Sequence, residues 1–127
     1  MYLRFVTHGA VTRAAVRPGL FGAAYWLRDE LWPSPLAEAI DHELHWFGDN
    51  LPVPRGRHPF QVRAGRVWHS DGICWFRPTT EARGSISHAH VLAALLTDGG
   101  VQVEPLQAQR PGTILYQDAI QIVAKPN

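Results

Sequence analysis

The sequence predicts an α+β fold in a single domain, and three observations predict it. Apolar residues recur at three- and four-residue spacing in segments near Leu20–Leu31, Leu36–Phe47 and Ile86–Leu96, the pattern of helices with one buried face. Short β-prone runs lie between and after them, in the order strand, two helices, strand, helix, three strands. The chain has 127 residues, the length of one domain that buries roughly two thirds of its unfolded surface, so 1–127 is read as one unit. The expected architecture is a small mixed sheet with the helices packed on one face and a C-terminal β-hairpin.

Tyr2 to Val6 sets Leu3 and Phe5 beside Tyr2 and Arg4 and reads as a short first strand. Leu20, Ala23, Ala24, Leu27 and Leu31 share one helical face, and Pro18-Gly19 breaks the pattern before them, so the first helix runs over 20–31. Ser34-Pro35 starts the second helix, with Ser as N-cap and Pro at the first helical position, where its missing N–H leaves no bond unmade. Its apolar stripe is Leu36, Ile40, Leu44 and Phe47; Glu38, Asp41, His42 and His45 take the opposite face, and Gly48 closes it. A short link makes the two helices antiparallel neighbours.

Ile73-Cys74-Trp75-Phe76 is continuously apolar and predicts a buried central strand ended by Pro78. Cys74 is the single cysteine, which rules out an intramolecular disulfide and suggests a buried, inert thiol. Ser85 or Ser87 caps a third helix with apolar residues Ile86, Val91, Leu92, Leu95 and Leu96, and Gly99-Gly100 stops it. The strand through Val101, Val103 and Leu106 follows, long enough for a right-handed parallel crossover from the Trp75 strand. Arg110-Pro111-Gly112 turns the chain into Thr113–Tyr116 and Ala119–Ala124, a hairpin around Gln117-Asp118 on a sheet edge, with Ile120, Ile122 and Ala124 alternating against Gln121 and Val123.

Charge is segregated. Twelve Lys and Arg against eleven Asp and Glu leave only +1, yet the stretch from Asn50 to Ser70 holds Arg55, Arg57, Arg63, Arg66, His58 and His69 and no acid. Five Pro and Gly residues within it predict a long basic loop over 49–71. Guanidinium groups bind phosphate in bidentate fashion and Trp68 offers a stacking face, so Arg55, Arg57, Arg63, Arg66 and Trp68 are the candidate binding residues for a phosphate-bearing ligand. The isoelectric point of about 8.0 falls below the value above 9 usual for a dedicated nucleic-acid domain, which disfavours nucleic acid as partner.

Three sets of side chains bear on chemistry. Glu38, His42 and His45 lie on one helical face at metal-ligand spacing, but His42-Glu43-Leu44-His45 is one residue short of the zincin pattern, and a solvated face explains them more simply. His69 and Asp71 form a candidate general-base pair at the mouth of the Trp75 strand, in competition with a plain Ser-Asp-Gly turn. His88 and His90 fall in the first turns of the third helix on different faces, with Ser85 and Ser87 as capping residues. No cofactor motif is present and none is expected.

Five tryptophans, some at positions outside the helical stripes, predict exposed aromatic surface of the kind enriched at protein interfaces. The expected role is binding, to a protein partner or in a homodimer, with hairpin-edge pairing between subunits as one route. The alternative is a metal- or His/Asp-assisted phosphodiester or nucleotide hydrolase. Met1 leads straight into a strand, and no run approaches the roughly 18 apolar residues of a spanning helix, so a cytoplasmic protein without membrane contact is expected.

Trp46, Phe47, Asn50, Leu51, Pro52 and Pro54, the Trp75-Phe76 strand, Arg110-Pro111-Gly112, and Leu115, Tyr116, Asp118, Gln121, Val123 and Ala124 carry a resemblance over most of the chain. The chain resembles a family of small uncharacterised bacterial proteins of similar length with no assigned function. The resemblance implies a cytosolic bacterial single domain; the Arg55–Arg66 stretch departs from the family pattern.

Overall fold

The computed structural model describes residues 1–8, 19–53, 61–63, 66–68 and 72–127. Its elements are β1 (Tyr2–His8), α1 (Leu20–Leu31), α2 (Pro35–Asn50), β2 (Gln61–Arg63), β3 (Arg66–Trp68), β4 (Ile73–Phe76), α3 (Arg83–Asp98), β5 (Gln102–Ala108), β6 (Thr113–Gln117) and β7 (Gln121–Lys125). Three helices and a five-stranded antiparallel sheet, ordered β5-β1-β4-β7-β6, make an α+β domain as expected. The sheet is antiparallel where a mixed one is expected, and β5 lies beside β1, so α3 does not make the expected parallel crossover between sheet neighbours.

Within the domain the chain clusters into two compact units. One comprises Phe5–Leu51 and Gly84–Leu106. Here α1 packs on α2, with Leu20, Ala23, Ala24 and Leu27 buried against a set that includes Ala37, Ile40, Leu44 and Phe47. Phe21 meets the Phe47 ring edge-on at 4.8 Å between centroids. Ser34 caps α2, its Oγ accepting from the Ala37 N–H at 3.1 Å, and Pro35 follows as predicted. Leu31, expected in the core, is 37% exposed because it falls where α1 ends.

The third helix begins at Arg83, ahead of the expected serine caps. Ser85, Ala89, Leu92 and Leu96 are its buried stripe, while Val91 is 46% exposed. The turn before it is closed instead by Thr79, whose Oγ1 accepts from the Ala82 N–H at 3.2 Å. Gly100, at φ 89°, supplies the left-handed residue after the last turn.

The second unit comprises Met1–Arg4, Pro52–Arg83 and Gln107–Asn127. β4 runs antiparallel to β7, Ile73 opposite Ala124 and Phe76 opposite Gln121, and Leu3 of β1 pairs with Phe76 on its other side. The C-terminal hairpin lies on a sheet edge as expected, with β6 outermost and β7 interior, and Gln121, Ile122, Val123 and Ala124 are all buried in place of the expected alternation. β6 pairs with β7 through a register shift between Ile114 and Tyr116. β4 is the middle strand, but Cys74 in it is exposed, contrary to the expectation of a buried thiol. Ile73 and Trp75 on the other face are half-buried, and Phe76, on the same face as Cys74, is buried, so cover on that face ends between the two.

The basic segment is not loop throughout. β2 and β3 form an antiparallel hairpin with Gln61 opposite Trp68, Val62 opposite Val67 and Arg63 opposite Arg66. No described helix is long and apolar enough to cross a membrane.

Candidate functional site

Of the residues singled out in the sequence, Arg55, Arg57, His58, His69 and Asp71 lie outside the described residues. Arg63, Arg66 and Trp68 are placed by backbone only, with Arg63 and Arg66 as direct cross-strand partners at the turn of the β2–β3 hairpin. Glu38, His42 and His45 are exposed on α2, and His45 turns back along the helix, its Nδ1 2.9 Å from the Asp41 carbonyl and 3.4 Å from the Asp41 carboxylate. Among the described residues no group of three His, Cys, Asp or Glu side chains is arranged to hold a metal ion.

The helical unit instead exposes an aromatic–arginine stripe. Tyr25 and Arg28 lie one turn apart on the outward side of α1, and Trp32 follows just past its last residue in extended backbone, Tyr25 48% and Trp32 53% exposed. The Arg28 guanidinium lies 5.0 Å from the Tyr25 ring centroid, a cation–π contact. It also donates to Asp29 and to Asp41, each at 3.1 Å. Burial pulls Arg28 down, but the hydrogen bonds and charges of Asp29 and Asp41 outweigh it and hold the guanidinium above its ordinary pKa. The stripe is thus a fixed cation, balanced by two carboxylates, between two exposed aromatic groups.

A second cluster joins α2 to α3. Glu43, 8% exposed, sits one residue from Leu44 at a stripe position, and its Oε2 is 2.6 Å from His88 Nδ1. A carboxylate only accepts, so Nδ1 carries the hydrogen, and in a neutral imidazole the lone pair would then fall on Nε2. The imidazole stacks on Trp46 at 3.6 Å and 14°, with the Phe47 ring edge-on at 6.3 Å. Gly84, one turn before His88, faces the same indole, where a Cβ would make ordinary contact at 3.9 Å. His90 points elsewhere, its ring edge-on to Phe5 at 5.0 Å. The expectation that the two histidines diverge holds, but His88 is tied into the structure and is no ordinary surface residue. The sequence signal is Glu43 at stripe spacing from Ile40 and Phe47, opposite a histidine on the next helix.

The sheet-bearing unit has one polar centre. Asp118, in the turn between β6 and β7, accepts from the Tyr116 hydroxyl at 2.7 Å and from the Ile120 and Gln121 N–H groups at 2.8 and 2.9 Å. Gln121 Nε2 donates to the same carboxylate at 3.3 Å and to the Pro52 carbonyl. Arg77 Nη1 donates to the Asp118 carbonyl at 2.6 Å. Burial alone pushes Asp118 up, but these hydrogen bonds prevail and hold it below its ordinary value. Burial first, then the bond to Asp118, raises Tyr116 to about 12. Every donor here serves the hairpin turn, so the centre is structural.

Beside it, Arg4 stacks over Trp75 at 5.4 Å. Cys74 is exposed as a residue, yet packing around its sulfur raises the thiol; Arg4 pulls it back and Asp118 adds to the rise. The exposed residue therefore carries a covered thiol with little thiolate. No family model, no curated protein and no solved structure matches this chain.

Proposed function

We propose that this chain is a small bacterial interaction protein of the cytoplasm that engages another protein through the α1 stripe. The observation that carries the reading is the pair of exposed aromatics, Tyr25 and Trp32, flanking the anchored Arg28. Tyr, Trp and Arg dominate the energetics of protein interfaces, and a guanidinium already held by carboxylates loses little side-chain freedom on binding. Asp29 and Asp41 balance its charge, so the matching surface is apolar and uncharged at its centre. A double Tyr25→Ser, Trp32→Ser variant is expected to lose about 2 kcal/mol or more of partner affinity, roughly thirtyfold. Quantitative affinity capture followed by crosslinking from position 32 tests this; equal retention of the same crosslinked partner by both proteins would overturn it.

The arginine segment is the anion-facing part of the same reading. Arg63 and Arg66 are cross-strand partners, a placement in which like charges repel and a bound phosphate group relieves the repulsion. Replacing Arg55, Arg57, Arg63 and Arg66 by Ser is expected to abolish retention on heparin, and unchanged retention would remove the anion-binding role. The Glu43–His88 pair is the one observation favouring the hydrolytic alternative, since it presents an oriented imidazole base. Phosphodiester hydrolysis that vanishes in His88→Gln would support that alternative over the binding reading.

A further inference from the structure

Charge is divided between the two compact units. The helical unit has three arginines against eight acids, a net −5, whereas the sheet-bearing unit has nine Arg and Lys against three acids, a net +6. The isoelectric point of about 8.0, which disfavours nucleic acid when taken for the whole chain, averages two parts of opposite sign. Of the three acids in the sheet-bearing unit, Asp118 is occupied by the donors of its own turn. None lies between Asn50 and Ser70, where four of the arginines fall. Within that stretch β2 and β3 form a two-stranded sheet separate from the five-stranded one. Paired residues share a face and successive residues alternate, so the register puts Gln61, Arg63, Arg66 and Trp68 on one face of the ribbon and Val62 and Val67 on the other. Pairing alone thus separates a cationic, aromatic face from an apolar one.

We infer that the Arg63–Arg66 face of the β2–β3 ribbon binds single-stranded nucleic acid, with the arginines on phosphates and Trp68 against a base. The inference rests on the anion-facing reading of the arginine segment and names its ligand. Each nucleotide of a single strand brings one phosphate and one unpaired base, so it answers guanidinium and indole together. An acidic peptide answers the arginines alone, and a duplex keeps its bases inside the stack. Arg66 and Trp68 are two residues apart on β3, about 7 Å along the strand, a separation that lets one nucleotide meet both. Gln61, cross-strand from Trp68, adds an amide that can both donate to and accept from a base edge. The helical unit, at −5, repels a polyanion, so the sheet-bearing unit alone holds the strand and the α1 stripe takes no part.

Fluorescence anisotropy of a labelled mixed-sequence DNA of about 20 nucleotides, longer than one such site, measures binding to the full chain as single strand and as duplex between about 50 and 200 mM salt. The single strand is expected to bind about tenfold more tightly than the duplex. Arg63→Ser with Arg66→Ser should lower the slope of log K on log salt by about 1.4, two phosphates at about 0.7 each. Trp68→Ala should weaken single-strand binding about tenfold with the slope unchanged, and Trp68→Phe, which keeps a stacking ring, should restore most of it. Tyr25→Ser with Trp32→Ser should bind as wild type does, and far-ultraviolet spectra check that each variant is folded. Equal affinity for the duplex overturns the inference, as does an unchanged slope in the arginine variant or full binding by Trp68→Ala. Poly-glutamate that displaces the probe as well as unlabelled strand does would overturn it in favour of an acidic protein. A wild type held on heparin that binds no oligonucleotide overturns this inference alone, whereas one that binds neither overturns the anion-facing reading as well.

Discussion

Asp118 collects four hydrogen bonds at the β6–β7 turn, and its carboxyl is held below its ordinary value, so it favours the folded state only while ionised. That contribution is present above the unfolded pKa of about 3.9 and is lost as the pH falls through the lower folded value. Tyr116 runs the other way. Its folded pKa of about 12 exceeds the unfolded value of about 10, so its contribution is complete below pH 10 and is lost as the pH rises toward 12. Urea midpoints should therefore fall at both extremes. Tyr116→Phe should flatten the alkaline limb and Asp118→Asn the acid limb, and an unchanged slope in either variant would remove that residue from the account. At the Glu43–His88 pair the prediction concerns burial. His88→Ala leaves the carboxylate of Glu43 buried without its donor, at a cost of about 3–5 kcal/mol, whereas Glu43→Leu with His88→Leu removes both polar groups and should be closer to wild type. Urea unfolding of the two single variants and the double variant measures the coupling.

At the level of elements, two glycines should respond with opposite sign. Gly48 lies inside α2 with nothing within 4 Å of the point an added methyl group would occupy, so Gly48→Ala should stabilise by about 0.5–1 kcal/mol. Gly112 enters β6 at φ 131°, and a Cβ there would run into the Lys125 carbonyl, so Gly112→Ala should destabilise by about 1–3 kcal/mol. Thermal melts of both variants test the pair. The helices are legible in the sequence because spacing alone places Leu20, Ala23 and Leu27, or Ile40, Leu44 and Phe47, on one face. The start of α3 is not, because Ser85 looks like a cap yet packs inward, and Thr79 closes the preceding turn. Alternation fails for β7 because local pattern does not say which strand lies between two others, and Gln121 can be buried only because Asp118 and Pro52 accept from it. The β2–β3 hairpin is hidden by the surrounding prolines and by arginines at its turn. For the site, tryptophan count leads to the expectation of exposed aromatics, but Tyr25 with Arg28 emerges only once α1 is given its neighbour Asp41 on α2.

For the whole molecule, the decisive quantity is how stability depends on partner concentration. A partner that binds only the folded chain adds its binding energy to the native state, about 2.7 kcal/mol at a hundredfold excess over Kd. For a chain of 127 residues that moves Tm upward by about 10 °C. Contact through the α1 stripe should leave the shift insensitive to salt, because Asp29 and Asp41 already balance the Arg28 charge. Tyr25→Ser with Trp32→Ser should remove the shift while leaving the Tm of the free chain within about 3 °C of wild type, since both side chains are exposed. Scanning calorimetry with and without the captured partner, at low and at high salt, separates the outcomes. A shift that salt abolishes would point to the arginine segment as the contact and would displace the α1 stripe from that role, whereas a salt-independent rise lost in the double variant ties partner binding to the two exposed aromatics.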